Sequence, residues 1–274
     1  MNKKLFLDRI LKYFIEDDSL IPDSLEDKIK LWENVVTTKE LKNIPEDILI
    51  AEDKFLRLDL INRKLTDGEK LQTVNQTLNT SIDNGNKICL WKGDITTIYS
   101  DLIVNPTTNK CLLRESIDNK KMDYNIFLRS GMRLGIKCSS LLKDEILDEA
   151  DILITRAYNL PCDYIIHVVV PNIEDSTLEI EKILGMCYMN VLECAKNNMV
   201  KTIVVPCIGL NSKLDVNKLV EISVNTVIKF LKENKGCMEK VIFQVDNDEF
   251  YQLYSKVLVG VQNAWYLESM AWVY

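Results

Sequence analysis

A three-layer α/β/α sandwich with a mixed central sheet, preceded by an N-terminal helical extension, is the fold this sequence predicts. Residues 1 to about 80 repeat apolar side chains at helical spacing. Past the turn Asp83-Asn84-Gly85-Asn86, short apolar runs alternate with longer amphipathic ones. The runs 164–170 and 203–205 are almost continuously apolar, as expected of strands covered on both faces.

Taken in order, Phe6, Ile10 and Phe14, with Leu7, Leu11 and Ile15 beside them, make one stripe of a first helix. Ser24 is placed to cap a second, with Asp27 three residues on and Ile29, Trp32, Val35 and Val36 on its apolar face. A third runs from about 45 to 63, with Ile48, Leu49, Glu52, Phe55, Leu56 and Asp59 spaced along it, and ends before a turn at Thr66-Asp67-Gly68. Strands are expected at 88–92, 102–105, 151–155, 164–170, 202–208 and 240–245, and helices at about 124–147, 178–197, 216–233 and 248–259. The chain divides into a helical extension (1–84), an α/β domain (85–260) and an aromatic tail (261–274) that packs on the chain itself or on a partner.

Composition excludes several classes. The 274 residues are 47% hydrophobic, enough for one large core. With 41 acidic against 34 basic residues and a net charge of -7, no nucleic-acid partner is expected. No apolar run approaches the ~20 residues of a membrane span. Asp8, Arg9 and Lys12 interrupt any N-terminal leader, so a cytoplasmic protein with no membrane partner is expected. The eight cysteines lie far apart without a CxxC pair, which reads as reduced and mostly structural thiols. Cys187 and Cys194, seven apart, fall on one helix face beside Leu184 and Val191, in core packing.

The chemistry concentrates where strands end. Leu90-Trp91-Lys92 leads into Gly93-Asp94-Ile95-Thr96, and Leu102-Ile103-Val104 leads into Asn105, so polar groups gather at the carboxyl ends of strands, where open α/β sheets hold ligands. Asp94 there supplies either an acceptor for a ligand amine or the cap of a solvated turn. The single histidine, His167, has apolar neighbours and is expected buried.

These segments resemble macrodomains, the fold that recognises ADP-ribose. Gly93-Asp94-Ile95-Thr96 is similar to the family's GDIT motif, and Ile154-Thr155-Arg156-Ala157-Tyr158-Asn159-Leu160-Pro161 with the strand through His167 is similar to its following block. Tyr188, Leu192 and Ala195 fall where its next helix carries a tyrosine and small or apolar residues. Leu31-Trp32-Glu33-Asn34 and residues 44–56 resemble the N-terminal extension of one branch, the zinc-containing bacterial protein-ADP-ribose hydrolases. The resemblance covers about residues 20–255. It implies ADP-ribose or a related nucleotide as ligand and an ADP-ribosylated protein as partner. It further implies that Asp94 accepts from the adenine amine with Ile95 and Thr96 alongside, that Asn105 lines the cleft, and that Gly209, Leu210, Asn211 and Ser212 form the diphosphate loop. Thr108 or Asn109 stands where the family places an asparagine at the distal ribose, the catalytic end.

The sequence departs from that pattern in two loops. The branch draws Cys, His and Cys ligands for zinc from the loop after the second strand. Here Cys111 matches the first, Ser116 replaces a later cysteine and no histidine is present, so no metal cofactor is expected. Between Asp94 and Ser130 there is no glycine, and in the second phosphate loop only Gly209 remains, with Asn211 and Leu214 in place of glycines. Asp215 reads as a phosphate-repelling charge or as the cap of the next helix. Each lost donor to a charged phosphate forfeits ~1.5–3 kcal/mol. That favours a retuned binder that has lost the zinc site, with an active hydrolase and a non-binding interaction scaffold as the alternatives.

Overall fold

The structure, a computed structural model, describes residues 3–109, 122–143, 145–171 and 176–270, with side chains through Val261. Three helices come first: α1 (Lys3–Phe14), α2 (Leu25–Thr38) and α3 (Glu46–Ile61). Ser24 caps α2 by accepting from the Asp27 backbone at 3.0 Å, as its spacing predicts. There follow β1 (Thr66–Asp67), the single turn α4 (Val74–Thr77), β2 (Ile88–Lys92) and β3 (Ile98–Thr107). Beyond them lie α5 (Met122–Ser130), α6 (Met132–Leu142), β4 (Ile152–Arg156), β5 (Cys162–Val169), α7 (Thr177–Asn197), β6 (Thr202–Pro206), α8 (Val216–Glu233), β7 (Lys240–Val245) and α9 (Asp248–Met270).

The sheet has seven strands in the order β2-β7-β6-β3-β5-β4, with β1 paired to the start of β3. All pairings are parallel except β4 with β5, so the sheet is mixed. Its buried strands obey a period of two. Leu102, Val104, Ile203, Val205, Val241 and Phe243 pack with α7, α8 and α9, whereas Ile103, Val204 and Ile242 pack on the opposite face with Ile126, Leu134 and Cys138 of α5 and α6. Three layers result. No helix among the described residues is long and apolar enough to cross a membrane.

Five expectations need correction. The helix expected over 124–147 is two helices, because Gly131 between them has φ +91°, outside the helical region. The strand expected over 102–105 runs from 98 to 107, and the expected turn at Thr66 instead begins with β1, where Thr66 lies opposite Ile98. The strand expected to reach 208 stops at Pro206. Finally, the helix expected over 248–259 is α9, which continues to Met270; the side chains beyond Val261 lie outside those described.

The helical extension packs against α5 and α6 through a third apolar cluster, in which Trp32, Phe55, Leu7 and Ile10 meet Phe127, Leu128 and Met132. The Trp32 and Phe55 rings sit edge-to-face at 5.0 Å. Polar contacts fix the register of this seam. Glu52 is fully buried on α3 and accepts from Trp32 Nε1 at 3.0 Å and from the Met132 backbone N–H at 2.6 Å. Arg133 joins Asp53 and Glu46, at 3.0 and 2.5 Å. Asn159 donates to Asp53 at 2.9 Å, and Arg129 pairs with Asp59 at 3.1 Å. Burial pushes the Glu52 carboxyl up to about 7, against the pull of its two donors.

Candidate functional site

Because β2, β7, β6, β3 and β5 are parallel, their carboxyl ends share one edge of the sheet, and three groups of expected site residues lie along it. The first follows β2. Gly93 continues the pairing by donating to the Val245 carbonyl at 3.0 Å, and Gln244 Nε2 donates to the Gly93 carbonyl at 2.7 Å. A side chain at Gly93 would run into the Trp91 indole. The chain then turns through a short 3-10 helix, Ile95–Thr97, capped by Asp94. Asp94 Oδ1 accepts from the Thr96 backbone at 2.9 Å and from its hydroxyl at 2.7 Å. Asp94 Oδ2 accepts from Nη2 of Arg63, a residue in the turn after α3. Ile95 and Thr96 are buried, while half of the Asp94 side chain meets solvent.

The second group follows β6. Gly209 has φ +90°, and a Cβ there would lie 2.7 Å from Leu184 Cδ2, so this position needs glycine. The loop closes as a turn in which the Ser212 N–H donates to the Gly209 carbonyl at 2.8 Å, leaving Leu210 and Asn211 exposed. Behind it, the buried Tyr188 hydroxyl accepts from the Ile208 N–H at 2.8 Å and donates to the Pro206 carbonyl at 3.4 Å. That hydroxyl ties the loop to the end of β6. Tyr188→Phe should therefore cost about 1–3 kcal/mol, read by thermal unfolding, because it orphans a buried N–H. Asp215 caps α8, accepting from the Asn217 backbone at 2.9 Å and side chain at 2.7 Å. Those donors hold its carboxyl below the usual range and engage its Oδ1 at the helix end.

The third group ends β3. Asn105 is 1% exposed, and its amide donates to Asp123 Oδ1 at 2.7 Å and to His167 Nδ1 at 3.0 Å. With Nδ1 accepting, Nε2 carries the proton and donates to Thr155 Oγ1 at 3.0 Å. His167 is buried as its neighbours predict, and burial pushes it down to about 4, so the ring is neutral. Asp123 Oδ2 accepts from Thr107 Oγ1 at 3.0 Å, while Asn105 Oδ1 is buried with no partner among the described residues. Thr108 and Asn109 follow, both exposed, and the Asn109 carbonyl accepts from the Leu147 N–H at 3.0 Å.

Asp123, like Arg63, is a residue that sequence reasoning missed. An acid in the first turn of a helix reads as a dipole partner, and its approach to Asn105 and Thr107 depends on how α5 returns over the sheet. Cys111 and Ser116, on which the metal expectation turns, lie outside the described residues, as does the rest of 110–121. Among the described residues, no group of three His, Cys, Asp or Glu side chains is arranged to hold a metal ion, and both His167 nitrogens are engaged. Cys187 packs in the core with its thiol toward the Val169 carbonyl, and Cys194 is partly buried.

A mixed sheet between helix layers, with an acid-capped turn and a glycine loop on its carboxyl edge, defines a three-layer α/β domain. Residues 104–213 match the family model described as Macro domain. By this match the chain carries a macro domain. It is similar to the protein-ADP-ribose hydrolase of Staphylococcus aureus strain MSSA476, with 29% identity covering 88% of each chain. Among solved structures, the macro domain of ganglioside induced differentiation associated protein 2 is 26% identical, with a TM-score of 0.62, covering 72% of this chain and 96% of that one. A point mutant of the Oceanobacillus iheyensis macrodomain, solved with ADPR, is 26% identical with a TM-score of 0.59, covering 66% of this chain and 97% of that one.

Proposed function

We propose that this protein binds ADP-ribose, or an adenine nucleotide related to it, along the carboxyl edge of its sheet, and that its site is retuned rather than inherited unchanged. One observation carries the reading: Asp94 is held by Thr96 through Oδ1, its Oδ2 lies against Arg63, and half of the side chain stays exposed, so a fixed carboxylate with spare acceptor capacity for a base amine stands at the open edge. Ile95 and Thr96 form the floor of that turn. The Gly209–Ser212 turn is the candidate diphosphate loop, and the exposed Thr108 and Asn109 are the candidates for the distal ribose. A related macrodomain solved with ADPR supports the ligand class.

Two features support retuning. Asp94 Oδ2 is shared with a cation, and the 206–215 segment supplies one glycine in place of several. Fewer close-approaching amides mean fewer charge-assisted bonds to phosphate, each worth ~1.5–3 kcal/mol. Binding in the high-micromolar to millimolar range follows. Among the described residues no cysteine is in a disulfide and most are buried, which suits a reducing, cytoplasmic setting.

Calorimetry with millimolar ADP-ribose tests the reading. Heat is expected for the native chain, and Asp94→Ala should weaken binding about 10- to 100-fold, the equivalent of ~1.5–3 kcal/mol. No heat with the native chain would sink the reading and leave an interaction scaffold. A second reading, hydrolysis of ADP-ribose from a modified protein, is favoured by Asp123, a carboxylate held at the end of β3 near Thr108 and Asn109. Release of ADP-ribose from a protein modified on acidic side chains, lost in Asp123→Asn, would establish it.

A further inference from the structure

Arg63 belongs to the helical extension, yet it is bonded to the acid on which nucleotide recognition rests. Its place is set by the backbone: the Asn62 N–H donates to Asp59 O at 3.1 Å and the Arg63 N–H to Leu60 O at 3.0 Å, turning the chain off α3 toward β1. The register of β1 against β3, Thr66 opposite Ile98, then carries Arg63 alongside the Asp94 turn. The Arg63 side chain is 21% exposed, against 49% for Asp94. A pair this open adds little to folding stability. Only Nη2 is engaged, so among the described residues the remaining guanidinium donors have no protein acceptor.

A lone carboxylate reads a purine in one way. It accepts from the exocyclic amine of adenine and repels a carbonyl oxygen at the same position, because two acceptors then face each other. A carboxylate with a guanidinium beside it presents an acceptor next to a donor. Adenine satisfies that pair with its amine on Asp94 and its N7 on Arg63. A 6-oxopurine satisfies it equally, the base sliding by one position so that its carbonyl accepts from Arg63 and its N1–H donates to Asp94.

We infer that Arg63 is a base-reading residue that widens the ligand class of this site from adenine to 6-oxopurine nucleoside diphosphates. The inference rests on the nucleotide-binding reading above and extends it to the chemistry of the base.

The test is calorimetry of the full chain with ADP and with IDP, for the native protein and Arg63→Ala, with thermal unfolding to show that the variant remains folded. The native chain should bind the two within about tenfold of each other. Arg63→Ala should weaken IDP binding far more than ADP binding, because adenine keeps its amine on Asp94, so that the ADP-to-IDP ratio widens at least tenfold. Equal discrimination by native and variant chains, both binding ADP, would overturn the role of Arg63 and leave nucleotide binding intact. If neither nucleotide binds the native chain, the nucleotide reading fails and this inference falls with it.

Discussion

Glu52→Ala should lower folding stability by about 2–5 kcal/mol in mildly acidic solution, and by clearly less above neutrality. The acidic limit comes from two buried donors, Trp32 Nε1 and the Met132 N–H, that lose their acceptor at ~1–3 kcal/mol each. The pH dependence comes from burial. In the native chain the carboxyl lies at about 7 against an ordinary 4.5, so folding favours its protonated form. That contribution is fully present below about pH 4.5 and is lost as pH rises through about 7, amounting to roughly 3 kcal/mol at ~1.4 kcal/mol per pH unit. His167, pushed down to about 4, acts in the opposite sense: stability is lost as pH falls from about 6.5. The two partly cancel in the native curve. The informative quantity is therefore the gap between native and Glu52→Ala chains, from urea unfolding between pH 5 and pH 8. It should narrow by ~2–3 kcal/mol; a gap independent of pH would refute the account.

Gly131→Ala should be comparably damaging. At φ +91° and ψ 177° the residue occupies a region that side chains avoid, a cost of ~1–3 kcal/mol. A Cβ would also stand 2.8 Å from Glu52 Oε2 and 2.9 Å from Leu56 Cδ1, displacing the carboxylate that holds the Met132 N–H. A loss of about 3 kcal/mol or more is expected, measurable by thermal unfolding. The two substitutions share a contact, so the double variant should lose less than the two separate losses together.

Much of the architecture was legible in the sequence because burial writes a period. The strands after residue 85 and the caps of α2 and α8 follow from alternation and from Ser24 and Asp215, both found where spacing placed them. Glu52 was even placed among the apolar residues of α3, although spacing says nothing about what a carboxylate finds there. The break at Gly131 escaped because the apolar repeat runs through it, and only a packing partner fixes its backbone. Asp123 and Arg63 escaped for another reason: one lies 18 residues and the other 31 residues from the group it touches, a distance that local patterning does not bridge. Asn105 was legible as a residue at a strand end, but its inward turn depends on His167 and Asp123.

The seam joining α3 to α5 and α6 has a consequence for how the molecule is built. Phe127, Leu128 and Met132 belong as much to the first sixty residues as to the sandwich they grow from. A chain trimmed to begin at residue 85 would carry a raw nonpolar scar, with Arg129 and Arg133 stripped of their counter-ions. The leading helices are a structural wall of the sandwich, not an appendage to it.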